Sequence, residues 1–144
     1  MKLIIRNSCE ADLADITSLM EELGYPTTES EMATRIAKIN ENDSYHTLVA
    51  EYDDRVVGLA GILIGYSYIT SDIIARIIAF VVASDCRGKG IGKLLMEEAE
   101  KYARSKNAVS IGLNSGNRPE RMVAHQFYLH QGFIDKGISF FKNL

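Results

Sequence analysis

Phe80-Val81-Val82-Ala83-Ser84-Asp85-Cys86-Arg87-Gly88-Lys89-Gly90-Ile91-Gly92-Lys93-Leu94-Leu95 passes from an apolar strand through a glycine-rich turn into a helix. Glycines in such a turn allow positive φ and bring backbone N–H groups close to a ligand. Successive amides ending at a helix N-terminus form a nest for an anion. Arg87 and Lys89 add positive charge, and the chemistry suits a pyrophosphate. Two familiar phosphate loops fail by register. A Walker A loop needs Gly at the Arg87 position and Ser or Thr at Leu94. A dinucleotide fingerprint starting at Gly88 needs Gly at Lys93, and its strand belongs near the chain start.

Outward from this loop, elements alternate. Ile73 to Val82 is apolar and β-branched enough for a strand buried on both faces. About Lys89 to Ser105 reads as a helix with Ile91, Leu94, Leu95, Ala99 and Tyr102 inward. Val109 to Leu113 reads as a strand, Arg121 to Gln131 as a helix closed by Gly132, and Ile138 to Phe141 as a last strand. Upstream, Leu3-Ile4-Ile5 is a short strand. Leu13, Ile16, Leu19, Met20 and Leu23 follow helical spacing, with Gly24 as the stop. Thr28 to Glu31 has capping-box form, opening a helix that carries Met32, Ile36 and Ile39. Thr47 to Ala50, the Asp53-Asp54 turn and Val56 to Tyr68 make a hairpin, in which Gly58, Gly61 and Gly65 mark bulges or close backbone approaches. The reading is one α/β (α+β) domain over residues 1–144, a mixed twisted sheet of about six strands with flanking helices.

The chain has 144 residues, 47% hydrophobic and 24% charged, which excludes a disordered chain and a disulfide scaffold. A formal charge of −3 argues against a duplex-binding module. Cys9 and Cys86, far apart, suggest neither a disulfide framework nor a zinc site, and fit a reducing cytoplasm. The uncharged run Val56 to Ser71 is shorter than the roughly 18 residues of a membrane span. The N-terminus does not read as a signal peptide.

Arg-x-x-Gly-x-Gly at Arg87 to Gly92 resembles the coenzyme A loop of the GNAT N-acetyltransferases. Ala124-His125-Gln126-Phe127-Tyr128-Leu129-His130-Gln131-Gly132-Phe133 resembles the late helix of the same family. The resemblance covers essentially the whole chain and implies acetyl transfer from acetyl-CoA to an amine, with no metal. It implies a strand that splays from its neighbour after a bulge. Phe80, Val81 and Val82 would then offer backbone to the pantetheine arm, an amide near Phe80 polarising the thioester carbonyl. Arg87, Gly88, Lys89, Gly90, Ile91, Gly92 and Lys93 would hold the pyrophosphate. It also makes Tyr128 the candidate general acid, against plain packing of an aromatic.

Some members carry a glutamate base four residues before the Phe80 position. Here that residue is Arg76, which cannot act as a base. Arg76 either binds a substrate carboxylate or pairs with an acid in the sheet. Glu51 and Asp72 are base candidates by element only, with solvated strand-end charges as the plainer reading. Glu22 and Tyr25 end the first helix, where members shape the acceptor pocket, or are an ordinary helix terminus. Asn117 is undecided as a coenzyme contact. His46, His125 and His130 give no metal triad, and Cys86 reads as incidental. The expected partner is a small-molecule amine, without nucleic acid or membrane; a homodimer is left open. A protein or peptide acetyltransferase and a non-catalytic coenzyme A sensor are the alternatives.

Overall fold

The computed structural model describes residues 2–115 and 121–144. Its elements are β1 (Leu3–Asn7), a short 3-10 turn (Glu10–Asp12), α1 (Leu13–Leu23), α2 (Glu29–Asn40), β2 (Tyr45–Tyr52), β3 (Arg55–Tyr66) and β4 (Ile73–Val82). A second 3-10 turn (Ser84–Cys86), α3 (Ile91–Ser105), β5 (Ala108–Leu113) and α4 (Met122–His130) follow. The sheet order is β1-β2-β3-β4-β5, antiparallel except for the parallel β4–β5 pair. Asp53 and Asp54 both take positive φ, 51° and 65°, in the two-residue turn joining β2 to β3. Thr28 caps α2 by accepting from the Glu31 amide.

Two apolar layers cover the sheet. Ile16, Leu19, Met20 and Met32 of α1 and α2 pack on one face against Val49, Val57, Leu59 and Val81. Leu95, Met96, Ala99 and Ala103 of α3 pack on the other against Leu48, Ala60, Ile62, Ala75 and Ile77. Leu94, expected inward, is 43% exposed, because Leu95 and Ile91 already hold the stripe that meets the sheet. The expected last strand at Ile138 to Phe141 is not formed. Gly137, at φ +101°, turns the chain just before it, and Phe140 and Phe141 stay exposed. The described sheet therefore has five strands where the sequence suggests about six.

Pairing between β3 and β4 steps from Gly61↔Ala79 to Ile62↔Ile77, leaving Ile78 as an extra residue. A Cβ at Gly61 would touch both Ile78 and Ala79, so these two consecutive side chains lie on the same face, that of α1. Gly61 thus marks the bulge, and Gly58 lies beside a second one-residue register shift, between β2 and β3. Beyond Ile77↔Leu113, β4 and β5 cease to pair. The two strands open into a V.

At the far side of the sheet, Arg6 clamps Asp12 with two bonds of 2.9 Å and reaches Glu51 at 2.9 and 3.0 Å. The Arg6 hydrogen bonds hold the buried Asp12 carboxyl below its ordinary range. Because the folded-state value is depressed, the stabilisation is present above the unfolded value, about 4, and is lost as pH falls through the folded one. Asp12→Asn is therefore expected to cost about 1–3 kcal/mol at pH 7 and less at pH 3. Denaturant unfolding at the two pH values checks this; an equal cost at both would overturn it.

Candidate active site

A cleft of about 280 Å³ fills the V between β4 and β5. Its walls are residues 77–80 of β4, residues 113–115 at the end of β5, Leu23 at the end of α1 with Tyr25 just beyond it, and Arg121 and Tyr128 at α4. The Ala83 amide donates to the Val57 carbonyl at 2.7 Å. Peptide groups alternate along a strand, so those of Phe80 and Val82 point away from β3, into the opening. Arg87 confirms the direction: its Nε donates to the Val82 carbonyl at 3.3 Å. Val81 instead turns its backbone to β3 and its side chain into the core.

Past the cleft-lining part of β4, the chain passes through the short 3-10 turn into the glycine turn before α3. Gly88 and Gly90 have φ of +80° and +79°. Gly90 is the N-cap of α3, no side chain caps the helix, and its first turn holds no acid. The leading amides, at Ile91, Gly92 and Lys93, are orphan donors at the positive end of a 15-residue helix. Gly92 is small for a different reason: a Cβ there would lie 3.3 Å from the Phe127 ring, where α4 meets the first turn of α3.

The loop's cationic side chains are partly engaged elsewhere. Lys89 lies over the Tyr52 ring, 5.2 Å from its centre, and Lys93 stands 3.9 Å from Glu97. The leading amides of α3 and the exposed Arg87, whose Nε donates to the Val82 carbonyl, are the donors this turn presents.

Tyr128 is buried in an aromatic cluster, with ring centres 5.6 Å from Phe127, 5.9 Å from Phe133 and 6.3 Å from Phe80. Burial pushes its phenol above the ordinary value, and a hydrogen bond and positive charge from Arg121 partly offset that. The group holds its proton at neutral pH and stands beside the strand that carries the Phe80 amide.

The remaining candidates separate. Tyr25 lines the cleft and is 64% exposed. Glu22 is not among the lining residues; its carboxylate accepts from the Ser84 amide and hydroxyl, at 3.2 and 2.9 Å, tying α1 to the turn after β4. Arg76 is exposed on β4. Glu51 is held by Arg6, with β3 between its strand and β4, and Asp72 is exposed in the β3–β4 connection. Neither lines the cleft. Cys86 is buried, with Arg55 reaching its Sγ at 3.2 Å. His46 stacks on Tyr102 at 3.8 Å. Asn117 lies outside the described residues. Arg121 was not singled out from sequence, although it stands seven positions before Tyr128, about two helical turns. Ser115 was missed as well; its hydroxyl is buried at the cleft without a hydrogen-bond partner among the described residues.

The sequence model of the Acetyltransferase (GNAT) family matches residues 12–133, spanning both halves of this site. The chain belongs to the GNAT acetyltransferase family. A GNAT family acetyltransferase from Staphylococcus aureus subsp. aureus USA300_TCH1516 is 31% identical, with a TM-score of 0.87 and all of both chains covered. Glucosamine-6-phosphate N-acetyltransferase from Arabidopsis thaliana shares the fold at 22% identity and a TM-score of 0.83, covering 99% of each chain. An aminoglycoside N-acetyltransferase solved in complex with CoA shares it at 17% identity and a TM-score of 0.86, covering 99% of this chain and 95% of the other. No curated protein sequence matches the chain significantly. Membership in the GNAT family makes the chain an acetyltransferase and leaves its acceptor open.

Proposed function

We propose that this GNAT acetyltransferase moves the acetyl group of acetyl-CoA to a primary amine of a small molecule by direct attack in a ternary complex. One observation carries the reading: β4 parts from β5 after the Ile78 bulge, and the same strand leads, through a short turn, to the uncapped start of α3. An extended thioester arm suits the first part, because the Phe80 and Val82 peptide groups point into the V and can pair with it as an added strand does. A pyrophosphate suits the second part, because the amides from Gly88 to Lys93 and the Arg87 guanidinium supply donors and positive charge.

The residues then divide the chemistry. The Phe80 amide donates to the thioester carbonyl as the amine nitrogen attacks its carbon, stabilising the charge that develops on oxygen. As the C–N bond forms and the C–S bond breaks, Tyr128 gives its proton to the departing sulfur and regains one from solvent. The described lining holds no carboxylate or imidazole, so the proton of the amine leaves to water in the open cleft. Tyr25 and Leu23 bound the acceptor from the α1 side. Glu22 acts indirectly, by fixing the turn after β4.

Free-thiol release from acetyl-CoA, measured against a panel of small amines and peptides, tests the reading. Release matched by N-acetylated small amine is expected. A protein that binds coenzyme A and turns over nothing on the panel is a sensor, and one that accepts only peptides belongs to the other acetyltransferase class.

A further inference from the structure

We infer that the acceptor carries an anionic group beside its amine, a carboxylate or a phosphate, and that Arg76 receives it; this rests on the transfer reading above. The argument begins with which way Arg76 faces. Ala75 and Ile77 are buried against α3, so Arg76 between them points to the opposite face, the face of α1. Ile78 shares that face and lines the cleft. Residues two apart on a strand are roughly 7 Å apart, the reach of an arginine side chain. Arg76 therefore stands at the lip of the cleft, on the side bounded by Leu23 and Tyr25 and away from α3.

Its side chain is exposed, and no acid among the described residues comes within ion-pair distance of it. Across β5 its partner is Gly112, and a Cβ there would meet nothing within 4 Å. Across β3 its partner is Leu63. Arg76 joins none of the ion pairs among the described residues. The alternative from sequence, an arginine neutralised by a sheet carboxylate, finds no such carboxylate among the described residues. Glu22, at the end of α1, is held by Ser84.

Charge makes the choice of ligand. The described lining holds the Arg121 guanidinium and no acid, with Arg76 at the lip. A polycationic amine meets like charge there and no acid among the described lining residues. An amine with an anionic group gains a forked, charge-assisted contact to Arg76. The same positive field lowers the pKa of the attacking amine, which favours its neutral, nucleophilic form where the described lining supplies no base.

Matched acceptors test this: β-alanine against its amide, phosphoethanolamine against ethanolamine, and spermidine as the polycation. Charge-assisted hydrogen bonds of this type correspond to about 10- to 100-fold in kcat/KM in favour of the anionic member. A carboxylate or a phosphate source is decided by which pair shows the larger ratio. In Arg76→Met the ratio is expected to collapse toward one, while Arg76→Lys keeps part of it, having charge without the fork. Coenzyme A binding by calorimetry certifies that each variant is folded. Equal rates within each wild-type pair, preference for spermidine, or a ratio that survives Arg76→Met overturns the inference and leaves the transferase reading standing. Turnover of no amine at all overturns the transferase reading, and this one with it.

Discussion

Replacing Tyr128 by Phe is expected to lower kcat by about 10²- to 10⁴-fold, the range for loss of a positioned general acid. The substitution removes one oxygen, with its Arg121 hydrogen bond, and leaves the ring contacts to Phe80, Phe127 and Phe133 in place. Coenzyme A affinity should therefore hold, and the loss should appear in kcat at saturating acceptor. The pH profile supplies the sign. Burial raises the phenol's pKa, so the proton-bearing form persists through neutral pH and is lost only above the ordinary value of about 10. Wild-type kcat should fall on that alkaline limb, and the Phe variant should lack it. A kcat within about threefold of wild type would mean that Tyr128 only packs, and that another group protonates the thiolate.

Gly90→Val is expected to weaken coenzyme A binding by about 10- to 100-fold while the fold survives. Gly90 sits at φ +79°, where an L side chain costs about 1–2 kcal/mol. A Cβ there would meet no protein atom within 4 Å, so the strain is conformational and the added bulk points into the space before α3. Relaxing the strain turns the amides of Ile91 and Gly92 away from a common point, and each charge-assisted bond lost is worth about tenfold or more. Gly90→Ala separates the causes, since it carries the strain with little bulk. Calorimetry with acetyl-CoA reads the affinity and thermal unfolding reads the fold. Unchanged binding by a folded Gly90→Val protein would show that the anion is held elsewhere.

Much of this was legible in the residues. The run from Phe80 to Leu95 has an apolar strand, turn glycines and a helical stripe in unbroken order, so its local conformation needs little help from distant contacts. The Asp53-Asp54 turn and the Thr28 cap are local in the same sense. What depended on tertiary context was harder to see. The bulge needs the pairing of two strands, and only the glycines on β3 hinted at its place. The fate of Glu22 and Glu51 depended on Ser84 and Arg6, distant in sequence, so their assignment by element alone carried no partner information. Arg121 was visible in principle through its helical spacing to Tyr128. The stretch Ile138 to Phe141 shows the opposite failure, a strand-like composition with no strand, because a strand exists only where an edge receives it.

The extra residue in β4 has a meaning for how such a site varies. Ile77 faces α3, Ile78 and Ala79 face α1, and Phe80 faces α3 again. Removing one residue at 78 would leave every neighbour on its present side, so the hydrophobic pattern of the strand would be untouched. The sheet would simply run straight, and β5 could follow it without parting. The cavity is thus encoded by chain length, as an added beat in the phase of the strand, and hardly at all by the chemistry of the residue inserted. Point substitutions at this position leave the count intact. A single-codon deletion is expected to keep the pattern of the core and to close the opening between β4 and β5.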